Sequence, residues 1–159
     1  MSLLNLYRIC APEYATSTRK MLSGEGAAIH GGRWNSPGTR IVYVSETLSL
    51  AAFELLVHVP NEVLAPYKYL RISVPEDMIL ALDEEALPLD WKRPNNPELA
   101  AIGDEWIESD VSLGLSLPSA LIPGERNVIL RPDHPDFESI QVGTIRDFRY
   151  DPRLAEHDR

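Results

Sequence analysis

The chain has 159 residues, 44% hydrophobic and 25% charged, which is enough apolar material for one cored domain over residues 1–159 and too much for a disordered chain. A formal net charge of −9 argues against direct nucleic-acid binding and against an anionic membrane surface, because neutralising phosphates needs clustered Lys and Arg. A small anionic ligand held by a local pair of arginines is still allowed, since distant charge is screened.

The single cysteine, Cys10, excludes an internal disulfide and fits a reducing compartment. The opening "MSLLNLYRIC" has no cationic leader, Arg8 interrupts its apolar run, and nothing approaches a membrane span. The expected location is the cytoplasm.

In chain order, "LLNLYRIC" predicts a first strand with Arg8 near its end. Residues 11–37 are small, polar and loop-rich, with a short helix at "TSTRKMLSG". "RIVYVSE" is a strand rich in β-branched residues, with Ile41, Tyr43 and Ser45 on one face. In "SETLSLAAFELLVHVP" the residues Leu48, Ala51, Ala52, Leu55, Leu56 and Val59 recur at helical spacing as a core stripe. Ser45 or Thr47 caps its start and Pro60 stops it. "YKYLRISVP" predicts another strand, and "ILALDEEALPLDW" a strand end running into a turn. Asn96 followed by Pro97 opens a helix from about Pro97 to Ser109. "VSLGLSLPSALIP", "RNVILRP" and "FESIQVGTIRDFRYD" read as late strands joined by Pro-bearing turns. The fold class is α+β, with mostly antiparallel strands and a few flanking helices.

Several side chains could carry chemistry. Glu54 lies about 120° from the centre of the apolar stripe, with Leu50 and His58 one turn to either side. It is either a boundary carboxylate reaching water or an acid at a pocket wall. Arg8 shares a strand face with Leu4 and Leu6, where an arginine snorkels, pairs with a carboxylate or meets a ligand. Arg33 follows Gly31 and Gly32 in "GGRWNSPG", where glycine lets the backbone come close to a ligand. Two planar guanidiniums suit bidentate phosphate recognition. Trp34 could stack on a base or plug the loop onto the core. Ser119 in "LPSALIPGERN" lacks the G-x-S-x-G elbow of a hydrolase nucleophile, and the histidines show no metal-ligand spacing. Neither a P-loop nor G-x-G-x-x-G is present.

Four segments in order, "YRI", "GGRWNSPG", "IVYVSETLSLAAFELLVHV" and "LPSALIPGERNVILRPDHPDF", resemble the RES-domain proteins. These are toxins of bacterial type II toxin–antitoxin pairs, named for an arginine, a glutamate and a serine. The resemblance implies a fold like that of ADP-ribosyltransferases. It also implies cleavage of NAD+ at the nicotinamide–ribose bond with water or phosphate as acceptor, so that NAD+ is a substrate and no cofactor or metal is needed. By position the family's arginines fall on Arg8 and Arg33, its tyrosine on Tyr43, its glutamate on Glu54, its serine on Ser119, and an asparagine on Asn127.

In that frame Glu54 is the catalytic carboxylate that steadies an oxocarbenium-like ribose. Arg8 and Arg33 hold the pyrophosphate, Tyr43 stacks on nicotinamide, and Ser119 hydrogen-bonds the ribose or amide. The alternatives are an ADP-ribosyltransferase with a protein target and a non-catalytic binding module. An mRNA-cleaving toxin fits the acidic surface less well. The resemblance further implies a cognate Xre-type helix-turn-helix antitoxin that blocks the cleft, with a homodimer or a hetero-oligomer as possible assemblies.

Overall fold

The computed structural model describes residues 2–155. The strands are β1 (Leu3–Cys10), β2 (Val42–Ser45), β3 (Tyr67–Pro75), β4 (Ile79–Ala81), β5 (Gly114–Pro118), β6 (Arg126–Leu130), β7 (Gln141–Val142) and β8 (Arg146–Phe148). They form one sheet in the order β4-β5-β6-β2-β1-β3-β7, with β8 also paired to β3. Every pairing is antiparallel except β4 with β5. The expected α+β class therefore holds.

The helices are α1 (Thr18–Met21), α2 (Glu25–His30), α3 (Leu48–His58) and α4 (Pro97–Ser109). Segment 11–37 is more ordered than its composition suggests. Ser17 caps α1 by accepting from the Lys20 amide, and α2 has no counterpart in the sequence reading. Both helices are too short for periodicity to register.

Alternation along the strands builds a core on each face of the sheet. Leu6, Val42, Val44, Leu70, Ile72, Val128 and Leu130 pack together on one side. On the other, Leu115, Leu117 and Ile129 lie in one cluster with Leu99 and Trp106 of α4, together with Trp34 and Trp91. A third cluster joins Ile9, Tyr67 and Tyr150 to Ala51 of α3.

The two long helices start as expected. Thr47 accepts from the Leu50 amide at 3.0 Å, and the Asn96 side chain accepts from the Glu98 amide at 3.0 Å while its own amide reaches the Asp90 carbonyl at 3.3 Å. Asn96→Ala removes both bonds from a buried side chain, and the expected loss is about 1–2 kcal/mol, read as a drop of several degrees in thermal unfolding.

The expected stripe of α3 packs inward, with Ala51 buried beside Ile9, Tyr67 and Tyr150 and with Leu48, Ala52, Leu55, Leu56 and Val59 partly buried against that cluster. Leu50, outside the stripe, is buried as well. Glu54 falls between Leu50 and Ala51 on the wheel, inside the inward-facing arc, and Phe53 and Val57 face solvent. The reason is that α3 covers a cavity as well as a sheet, so its polar residue is turned inward.

Candidate active site

A cavity of about 390 Å³ opens between β1, β2, α2 and α3, a size typical of small-molecule sites. Its location follows from strand pairing. β1 runs against β3 through eight register pairs, from Leu3 opposite Pro75 to Cys10 opposite Lys68. Against β2 it registers at one position, Tyr7 opposite Ser45. Arg8 sits beside that divergence. Its Nε donates to the Met21 carbonyl at 2.7 Å and its Nη1 to the Tyr43 carbonyl at 3.3 Å. Burial lowers the Arg8 pKa, partly opposed by nearby Cys10.

The "GGRWNSPG" loop is held by a buried amide. Asn35 Nδ2 donates to the carbonyls of Ala27 at 2.8 Å and Thr39 at 3.0 Å, and its Oδ1 accepts from the Tyr43 hydroxyl at 2.7 Å. That hydroxyl accepts in turn from the Trp34 amide at 2.9 Å. Gly31 takes a φ of 72°, and a Cβ on Gly32 would lie 2.7 Å from the Tyr43 hydroxyl, so both positions favour glycine. Trp34, 3% exposed, plugs the loop into the α4 core and also borders the cavity.

Arg33 lines the cavity. Its Nη2 donates to the Trp91 carbonyl at 2.7 Å, while its buried Nε has no hydrogen-bond partner among the described residues. Burial lowers its pKa, opposed by the charge of Glu54 and by Tyr43. Among the described residues no carboxylate lies within ion-pair distance of Arg8 or Arg33. Two desolvated cations without a directly paired carboxylate favour an anionic ligand, because such a ligand returns the interaction that burial removed.

Glu54 also lines the cavity, opposite a polar backing. Its Oε2 accepts from Ser119 Oγ at 3.2 Å and from the Asn127 amide. Ser119 Oγ accepts from the backbone amides of Leu121 at 3.1 Å and Ile122 at 3.2 Å, so its one proton is directed at the carboxylate. Asn127 Oδ1 accepts from Ser45 Oγ at 2.6 Å. One carboxylate oxygen is thus held by two donors, while Oε1 accepts no hydrogen bond among the described residues.

The structure brings Arg8, Arg33, Tyr43, Glu54 and Asn127 to one cavity wall or another. Ser119 is different. It is 4% exposed and lies behind Glu54 rather than among the cavity-lining residues, so its hydroxyl serves the carboxylate. Tyr43 lines the cavity, but its hydroxyl is committed to the loop, and burial raises its pKa. Sequence reasoning missed Tyr14, Gly26, Ala27, His30 and His58, which line the same space. For His58 the signal was present, one helical turn beyond Glu54. For Gly26, Ala27 and His30 it was absent because α2 was not recognised, and Tyr14 sits in a single 3-10 turn, Pro12–Tyr14, too short to leave a pattern. Among the described residues no group of three or more His, Cys, Asp and Glu converges to hold a metal ion, and no helix is long and apolar enough to cross a membrane.

Tyr43→Phe leaves the Trp34 amide and Asn35 Oδ1 without their partner. The expected cost is about 1–3 kcal/mol, seen as lower denaturant resistance and as faster proteolytic nicking within residues 31–38.

Comparison with known proteins places these features in one context. The RES domain family model matches residues 5–151. "Toxin Res" of Photorhabdus laumondii is 42% identical over 155 residues, covering 95% of this chain and 97% of that protein. The "Prs ADP-ribosylating toxin" of a Sphingobium strain is 36% identical over 138 residues, covering 84% and 86%. In solved structures, a chain of the M. tuberculosis MbcT–MbcA toxin–antitoxin complex matches with a TM-score of 0.77 at 20% identity, covering 98% of this chain and 88% of that one, a likeness of fold. The chain belongs to the RES domain family.

Proposed function

We propose that this toxin of the RES family degrades NAD+ by breaking the bond between the nicotinamide nitrogen and the ribose anomeric carbon. The observation that carries the reading is Glu54. One oxygen of its carboxylate is pinned by Ser119 and Asn127, and the side chain lines a cavity shared with two guanidiniums that have no carboxylate within ion-pair distance among the described residues.

The bonding electrons leave with the pyridinium nitrogen, giving neutral nicotinamide without a general acid. The ribose becomes oxocarbenium-like, and a carboxylate close to it stabilises that charge as it develops. Arg8 and Arg33 hold the pyrophosphate by charge-assisted hydrogen bonds, and the Tyr43 ring faces the nicotinamide. Water then adds to the anomeric carbon, giving ADP-ribose and releasing one proton. With inorganic phosphate as the acceptor the product is ADP-ribose 1″-phosphate. NAD+ is consumed as a substrate, so depletion in the cytoplasm arrests growth, and an Xre-type antitoxin silences the toxin by covering the cleft.

A second reading is transfer of ADP-ribose to a protein, favoured by the name of the Sphingobium relative. Incubating the purified chain with labelled NAD+ separates the outcomes. Nicotinamide with ADP-ribose or its 1″-phosphate supports degradation, a labelled macromolecule supports transfer, and intact NAD+ overturns both.

A further inference from the structure

We propose that Ser45 is a positioning residue for Glu54, acting through the Asn127 side chain. The inference rests on the reading of Glu54 as the central carboxylate.

Ser45 ends β2 and lies opposite Asn127 of β6 in the antiparallel register. The two side chains therefore share one face of the sheet, directly beneath α3. Ser45 is 4% exposed, and its Oγ donates to Asn127 Oδ1 at 2.6 Å. An amide has one acceptor end and one donor end. Holding Oδ1 at Ser45 turns Nδ2 toward Glu54 Oε2, where it donates. Ser119 reaches the same oxygen from a different segment, and its own proton is committed by the two backbone amides it accepts from. Both donors to Oε2 are thus oriented by further groups, one by backbone and one by Ser45, which itself borders the cavity. This steers the carboxylate so that Oε1 is the oxygen left for a ligand. Without the Ser45 hydroxyl, Oδ1 loses its donor and the half-buried Asn127 amide can turn toward the cavity, letting the Glu54 carboxylate rotate.

The test compares Ser45→Ala and Ser45→Thr with the unmodified chain, reading NAD+ turnover and the side-chain amide signals of 15N-labelled Asn127. For Ser45→Ala, kcat should fall between about 10- and 100-fold, the scale of a misplaced catalytic group, with KM nearly unchanged. Ser45→Thr, which restores a hydroxyl, should recover most of the loss. The Asn127 amide protons should be slow to exchange in the unmodified chain and fast in Ser45→Ala. Ser45→Cys keeps the volume with a weaker donor and makes the same comparison where alanine fails to fold. Turnover and amide exchange both unchanged in the alanine or cysteine variant overturn the proposal. An unmodified chain inert toward NAD+ whose Asn127 amide still responds to Ser45 rejects the NAD+ reading and leaves the positioning role standing.

Discussion

In Glu54→Gln protein, nicotinamide release from NAD+ is expected to fall by at least about 10²-fold, the usual consequence of removing a preorganised electrostatic stabiliser. The amide keeps the shape of the side chain and leaves one oxygen able to accept from Ser119 and Asn127, so the thermal transition should move little. On the proposed mechanism, what disappears is the negative charge that stabilises the developing ribose cation. Expression without an antitoxin should then no longer arrest growth. A variant that still drains NAD+ at the parental rate would show that the central carboxylate lies elsewhere. The measurement is single-turnover nicotinamide release, which isolates bond cleavage from product departure.

Gly103→Ala is expected to give the largest loss of stability. Gly103 is buried in α4, and a Cβ built there would stand 1.6 Å from the Trp34 carbonyl oxygen. Alanine has the higher helix propensity, a gain of about 1 kcal/mol in an open helix. Here that gain is overwhelmed, because the obstructing atom is backbone and cannot swing aside. Either α4 lifts from the sheet or the loop carrying Arg33 moves. Overpacking of this kind costs about 3 kcal/mol or more, corresponding to a fall of roughly 6–12 °C or more in the melting temperature of a chain this size. NAD+ turnover should suffer as well, since Trp34 is the immediate neighbour of Arg33. Calorimetry with a parallel activity assay checks both. A stable, fully active alanine variant would contradict the close contact between α4 and this loop.

The two predictions concern residues of very different legibility. Glu54 could be singled out from its place on a helical wheel and from the family resemblance, though spacing alone left a solvent-facing role open. Gly103 carried no signal, because a glycine inside a helix looks like a mere weakness until the neighbouring backbone is known. Asn35 is a similar case. Its sequence context suggests a turn, whereas it is a buried hub linking Ala27, Thr39 and Tyr43. Ser119 was visible through the resemblance, but its place behind the carboxylate emerged only from its hydrogen bonds.

What the amino-acid order determined by itself was local. The strand of residues 3–10, the cap at Asn96, the stop near Pro60 and the span of α4 all follow from chemistry within a few neighbours, namely side-chain alternation, capping oxygens and proline geometry, whereas the choice of Thr47 over Ser45 as the cap of α3 came from the structure. Tertiary structure alone decided that Glu54 of α3 turns toward a cavity, that β1 and β2 register at one position beside Arg8, and that the two guanidiniums share that cavity with Glu54 and have no carboxylate within ion-pair distance among the described residues. Those outcomes depend on contacts between residues far apart in the chain, such as Arg33 with Trp91 and Glu54 with Asn127. Periodicity reports whether a face can be buried, and only the neighbours that cover it determine what it is buried against.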